Sequence, residues 1–203
     1  MSQESQKGRT RQAVVAGFLI LLIATVIFLR WSVFMPFVVL FNSMEPTLRE
    51  NDHVLVNRWA YRHRLPQSGD IILFQHPEEP PPSLVVKRVI GGPGDHLAIA
   101  SGYVMLNGRP LDERAYTLQD PLTVAPEWEW GTVPPDAVFV LGDNRNHSED
   151  SRDYGPVPLK NVVGRAILVF WPWTRWQWLK APSPPEPREP AAADRSGQAE
   201  GLP

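Results

Sequence analysis

Three short stretches of this chain hold side chains that could do chemistry together. Asn42-Ser43-Met44-Glu45-Pro46-Thr47-Leu48 places a small hydroxyl after a long apolar segment and before a proline-braced turn. Val85-Val86-Lys87-Arg88-Val89-Ile90 places an amine in an apolar strand, which Gly91-Gly92-Pro93-Gly94-Asp95 ends in a tight turn. Gly142-Asp143-Asn144-Arg145-Asn146-His147-Ser148-Glu149-Asp150-Ser151-Arg152 is dense in short polar groups of alternating charge. Each has an ordinary structural use: a serine before a turn caps backbone, and a strand lysine snorkels to solvent. Together they supply a nucleophile, a group to take its proton and a third member to orient that group, which is what serine–lysine peptide hydrolysis requires.

Ser43 is the candidate nucleophile, with Pro46 and Thr47 stiffening the turn behind it. Lys87 is the candidate general base. On a strand, residues 85, 87 and 89 share one face and Arg88 points to the other. Valines flank Lys87 there, and desolvation favours its neutral amine. The drop is needed, because at the ordinary value of about 10.4 only about 0.1% of the amine is neutral near pH 7.4, whereas about 8.5 makes a useful base. Ser148 is the candidate to hydrogen-bond that amine and hold it toward Ser43. Asp150 and Arg152 can pair with each other, or brace the loop through Asp143 and Arg145 as structural support. The histidines at 53, 63, 76, 96 and 147 occupy no nucleophile-elbow context and lack zinc-site spacing, and there is no cysteine. No metal and no organic cofactor is implied. A net charge of −2 argues against a nucleic-acid partner.

The elements that must position these groups read as mostly β. Short apolar runs broken by Gly, Pro, Asn and Asp predict strands at 53–57, 70–75, 84–90, 96–100, 103–106, 138–141 and 162–170. Asn107-Gly108 predicts a tight hairpin turn. Residues 78–83 read as an exposed loop, and 58–64 as either one or two helical turns or a solvated basic connector. Ahead of the domain, Ala13 to Leu29 is apolar apart from Thr25. Its 17 residues span roughly 26 Å as a helix, enough for a membrane anchor, and no cleavage-type small-residue site follows. Lys7, Arg9 and Arg11 precede it, which keeps the amino terminus cytoplasmic and the domain extracytoplasmic, although Arg30 and Arg49 weaken that bias. The expected organisation is a cytoplasmic segment 1–11, an anchor 12–31, an extracytoplasmic β-rich domain 35–180 and a disordered Pro/Ala-rich tail 181–203. Residues 171–178 hold four of the eight tryptophans, suited either to the membrane interface or to plugging the core.

Ser43-Met-Glu-Pro-Thr-Leu, Gly69-Asp-Ile-Ile-Leu-Phe, Lys87-Arg88 through Gly94-Asp95, and Gly142-Asp-Asn-Arg with Ser148-x-Asp-Ser-Arg152 resemble the successive boxes of bacterial type I signal peptidases. They stand in that family's order, over roughly residues 10 to 180. The resemblance implies Ser43 as nucleophile, Lys87 as base and Ser148 as its partner. It implies a membrane-apposed domain of coiled β-sheets preceded by one transmembrane helix. The substrates implied are signal peptides of preproteins ending small-x-small, with the lipid bilayer and the export translocon as partners. Val39, Met44, Leu48 and Val86 fall where the family lines its pockets for small side chains. Phe41 departs from the pattern: some members carry serine or glycine there, and a serine hydroxyl would help bind the oxyanion. Two other readings stand beside this one. They are a serine–lysine peptidase with a specialised substrate, such as a pilin-type or conjugation-factor processing enzyme, and an inactive anchored β-domain that binds signal peptides or a translocation partner.

Overall fold

A computed structural model describes residues 3–78, 83–117 and 128–180, so the tail 181–203 and most of the loop 78–83 lie outside the described residues. Helix α1 (Gln3–Val33) leads directly into β1 (Phe34–Val38). Then follow β2 (His53–Asn57), β3 (Ile71–Gln75), β4 (Leu84–Gly91), β5 (His96–Ala100), β6 (Tyr103–Leu106) and β7 (Arg109–Pro110). The remainder is β8 (Trp128–Thr132), β9 (Ala137–Leu141), a single helical turn α2 (Ser151–Tyr154), β10 (Val157–Pro158), β11 (Val162–Trp171) and β12 (Gln177–Trp178). Among the described residues no helix is long and apolar enough to cross a membrane. The side chains of α1 described between Val14 and Phe28 are nonetheless apolar apart from Thr25, and exposed.

The strands form one antiparallel sheet in the order β1-β2-β11-β3-β4-β9-β10, with β12 on β11, and a second in the order β7-β6-β5-β8. Alternation sorts the side chains of the large sheet. Val54, Val56, Ile71, Leu73 and Val86 enter one core with Met44 and Leu48, while Ile72, Phe74, Val89, Val138 and Val140 enter another on the opposite face. The sheet is covered on both faces, and bulges bend it. Ladder β11 slips register between Val162 and Gly164, Ala166 and Leu168, and Val169 and Trp171, and β4 slips between Val89 and Gly91. The small sheet covers a third core, and Trp128 and Trp130 pack on Phe139 with centroids 5.8 and 5.7 Å away.

All seven predicted strands are present, three of them to the residue. The Asn107-Gly108 turn joins β6 and β7 with both residues at positive φ, 53° and 77°, the type I′ geometry this dipeptide favours. Segment 58–64 forms turns rather than a helix, and Tyr61 turns inward to donate to Asp70 at 3.2 Å. The tryptophans at 171, 173, 176 and 178 are all at least half exposed, so they do not plug the core.

Candidate active site

The nucleophile turn is built on two buried anchors. Met44 and Leu48, four residues apart, sink completely into the core, and the Leu48 amide donates to the Met44 carbonyl at 2.9 Å. Ser43 is thereby left partly buried at the rim. The loop closes behind it where the Asn51 amide donates to Val39 and the Val39 amide to Asp52, at 2.8 and 2.9 Å.

Three polar ties lock this turn to the 142–152 loop. The Asn144 amide donates to the Ser43 carbonyl at 3.0 Å, and Asn144 Nδ2 to the Asn42 carbonyl at 3.3 Å. Thr47 Oγ1 donates to Asp143 Oδ2 at 2.5 Å. Arg88 grips the same carboxylate in two parallel bonds, Nε to Oδ1 at 2.7 Å and Nη2 to Oδ2 at 2.6 Å, and reaches Thr47 Oγ1 at 3.3 Å. Both partners are buried, and a forked, fully hydrogen-bonded pair is the form in which buried charges persist. Asp143 therefore pairs with Arg88.

Lys87, on the other face of β4 and opposite Ile72 of β3, is only 3% exposed. Its Nζ donates to Ser148 Oγ at 3.0 Å, and among the described residues it forms no ion pair. Burial is the main cause that lowers its pKa from 10.5 to about 8. Asp150, Glu149 and Asp153 pull the value up and Arg152 pushes it down. The pull of Asp150 is outweighed by burial and opposed by Arg152, and its carboxylate is bonded elsewhere. It accepts from the Gly142 amide at 3.0 Å and from Arg152 Nε and Nη2 at 2.8 and 2.9 Å, and it caps α2 in a reciprocal box with Asp153.

A cavity of about 660 Å³ joins these groups, with Ser43 and Lys87 both in its wall. Val39, Met44 and Val86 line it, whereas Leu48 lies behind, in the core. Phe41, 73% exposed, stands at the mouth with Leu40, His147 and Glu149. His147 Nδ1 lies 3.3 Å from Asn144 Oδ1.

Glu113 and Asp52 matter here and escaped sequence reasoning, and Arg145, expected as structural support of the loop, takes Glu113 as its partner. Arg145 is fully buried and pairs with Glu113 through two bonds of 2.6 Å, Tyr116 donates to the same carboxylate at 2.9 Å, and Arg145 Nε holds the Gly142 carbonyl at 2.9 Å. Gly142 is required by close approach: a Cβ there would overlap the Ser148 side chain and come within 2.5 Å of the Ser43 carbonyl. Asp52, buried, takes Arg175 Nε at 2.8 Å, and Gln177 donates to the Thr47 carbonyl at 3.1 Å, which ties the tryptophan-rich end to the nucleophile turn. The signal for Gly142 was its place at a strand end. For Glu113 there was none beyond a neighbouring tyrosine three residues on.

The family described as "Signal peptidase, peptidase S26" matches residues 10–171. The Signal peptidase I of Leptolyngbya laminosa is 44% identical over 150 residues, covering 70% of this chain and 70% of its own. That of Bacillus caldolyticus is 34% identical over 184 residues, 86% of this chain and 96% of its own. Among solved structures, a signal peptidase I from Enterococcus faecalis V583 is 31% identical and covers 50% of this chain and 97% of its own, at a TM-score of 0.41. The chain belongs to the signal peptidase family, peptidase S26, serine endopeptidases that remove signal peptides.

Proposed function

We propose that this chain is a membrane-anchored endopeptidase that cuts preproteins after a small-x-small sequence, with Ser43 as nucleophile and neutral Lys87 as general base. The observation that carries this reading is the buried Lys87 Nζ, bonded to Ser148 Oγ at 3.0 Å in the wall it shares with Ser43. At a pKa of about 8, about 20% of the amine is neutral near pH 7.4, some two hundred times the roughly 0.1% of an ordinary lysine.

The Lys87 lone pair takes the Ser43 Oγ proton as Oγ bonds the scissile carbonyl carbon. The resulting ammonium gives that proton to the departing amine as the tetrahedral intermediate collapses. Water then loses a proton to the neutral Lys87 and attacks the ester, and the ammonium returns that proton to Ser43 Oγ as the ester bond breaks. Ser148 holds Nζ in line through both steps. The Ser43 backbone N–H is one donor to the oxyanion, and Phe41 adds none from its side chain. Val39, Met44 and Val86 suit small apolar side chains of the signal peptide.

The anchor is α1. Its apolar side chains between Val14 and Phe28 are exposed along the whole run, a surface that a bilayer accepts and water does not. The apolar sequence continues on both sides of that run, from Ala13 to Leu29. The basic residues at 7, 9 and 11 orient the helix with the amino terminus inside, which leaves the domain on the outer face.

The test is cleavage of a preprotein ending Ala-x-Ala, in detergent, by wild type, Ser43→Ala and Lys87→Ala, followed against pH. Wild type is expected to cut once, after the second alanine, with kcat/KM rising through about 8 and both variants inactive. Full activity in Lys87→Ala would sink the mechanism, and tight binding without cleavage by wild type would favour the binding-domain reading.

A further inference from the structure

Outside the active site, a cavity of about 220 Å³ opens beside Arg58, whose amide bonds the end of α1. Arg58, Arg62 and Arg64 stand in its wall, no carboxylate does, and Leu65, Val162 and Val163 form an apolar side. Arg64 is committed to Asp70 at 2.9 Å, and Arg62 lies over the Trp59 ring at 3.9 Å. Arg58 and Arg62 are exposed, and neither forms an ion pair among the described residues. The Arg58 amide donates to the carbonyl of Val33, the last residue of α1, at 2.8 Å, and Phe34 pairs with Asn57. Resting on the anchor reading above, this fixes the depth of the cavity. Val33 is four residues past Leu29, so roughly 6 Å beyond the apolar run, within the headgroup layer of roughly 5–8 Å.

We infer that this cavity binds the phosphate of an anionic phospholipid, with the Arg58 and Arg62 guanidinium groups on the phosphate oxygens and the apolar side against the glycerol and upper acyl chain. Guanidinium matches phosphate in a forked geometry, and an apolar wall beside it suits a lipid better than a free ion. Arginines on the translocated side work against the orientation rule, and a headgroup site gives them a use. Active-site and anchor ends of the sheet are then both seated. Val38, at the far end of β1, pairs with His53, and Trp171 pairs with the same residue, so the exposed tryptophans lie at the end opposite Arg58. Held at two ends, β1 lies along the membrane plane and presents the Phe41 mouth to an emerging signal peptide.

The experiment uses the full chain in detergent with phosphatidylglycerol and phosphatidylcholine of matched acyl chains, counting retained lipid by native mass spectrometry. Wild type is expected to retain phosphatidylglycerol preferentially. Arg58→Gln with Arg62→Gln is expected to reduce that preference by about 30-fold, since each arginine near an anionic surface contributes about fivefold. Arg58→Lys with Arg62→Lys should keep most of it, and unchanged melting in detergent shows that both variants fold. Retention unchanged in the glutamine pair, or no preference in wild type, would overturn the proposal. Displacement of the lipid by inorganic phosphate at equal concentration would overturn it too, by making this a free-phosphate site. Flotation with pure phosphatidylcholine vesicles separates the two readings: wild type that fails to float refutes the anchor, whereas wild type that floats without headgroup preference refutes only the cavity.

Discussion

Replacing Lys87 by methionine should abolish activity and stabilise the protein. A fall in pKa from 10.5 to about 8 is about 3 kcal/mol of preference for the neutral amine, and the residue is almost wholly buried, so solvent does not screen it away. The sign follows from proton counts. Between pH 8 and 10.5 the unfolded chain holds a proton on Lys87 that the folded chain does not, so wild-type stability rises with pH across that window. Below about 8 the full penalty is present. Methionine has no such penalty and nearly the same shape, but it loses the bond to Ser148, at about 1 kcal/mol. The net gain at pH 7 is about 2 kcal/mol, or about 4–8 °C in Tm for a domain of this size. Melting of the full chain in detergent, followed by near-ultraviolet circular dichroism, should show that gap at pH 7 and its closure by about pH 10. A variant no more stable than wild type at pH 7, or a gap independent of pH, would refute the account of Lys87 as a residue whose charge burial disfavours.

Three further substitutions test the surroundings. Glu149→Gln removes a charge that raises the Lys87 pKa, so the apparent pKa of kcat/KM should move below 8 and the rate at pH 6.5 should rise about twofold, an effect that salt diminishes. Glu113→Gln leaves Arg145 buried without its carboxylate; calorimetry should register a loss of about 3–5 kcal/mol, seen as a Tm lower by about 10 °C or more. Gly142→Ala drives a methyl into Ser148 and the Ser43 carbonyl, so kcat should fall by about 100-fold or more in a protein that still folds and still binds a signal peptide competitively.

The strands were legible where hydrophobic alternation had clear punctuation, as at 53–57 with both valines buried. Among the strands not anticipated, β1 and β8 show opposite reasons. β1, Phe34-Met-Pro-Phe-Val, continues the apolar run of α1, so periodicity marks no boundary, and Pro36 argues against a strand unless it lies at an edge, which is where β1 sits. β8, Trp-Glu-Trp-Gly-Thr, is held by the ring packing of its tryptophans on Phe139, which is no local property. The meeting of Lys87 with Ser148, and of Lys87 with the nucleophile turn, was expected from the three stretches taken together, and the Lys87–Ser148 bond and the wall shared with Ser43 agree with it. The ion pair of Glu113 with Arg145 was not expected. Glu113 and Arg145 are 32 residues apart, and only the path of the chain brings a carboxylate from beyond β7 under the loop that follows β9.

Lys87 and Arg88 show where that boundary falls. Period-2 alternation places the two cations on opposite faces of β4 from sequence alone. Both faces are buried, so alternation does not say which cation keeps its charge. The partners decide it. Arg88 meets Asp143 in a forked pair and donates further to Thr47 and the Gly69 carbonyl. Lys87 meets one hydroxyl, while Asp150 is bonded to Arg152 and caps α2. Burial without a contacting counter-ion lowers the cost of losing its proton, so a useful share of the amine is neutral near pH 7.4. The same strand thus holds one cation paired with a carboxylate that braces the site and one left without a contacting carboxylate, whose proton burial makes easier to remove.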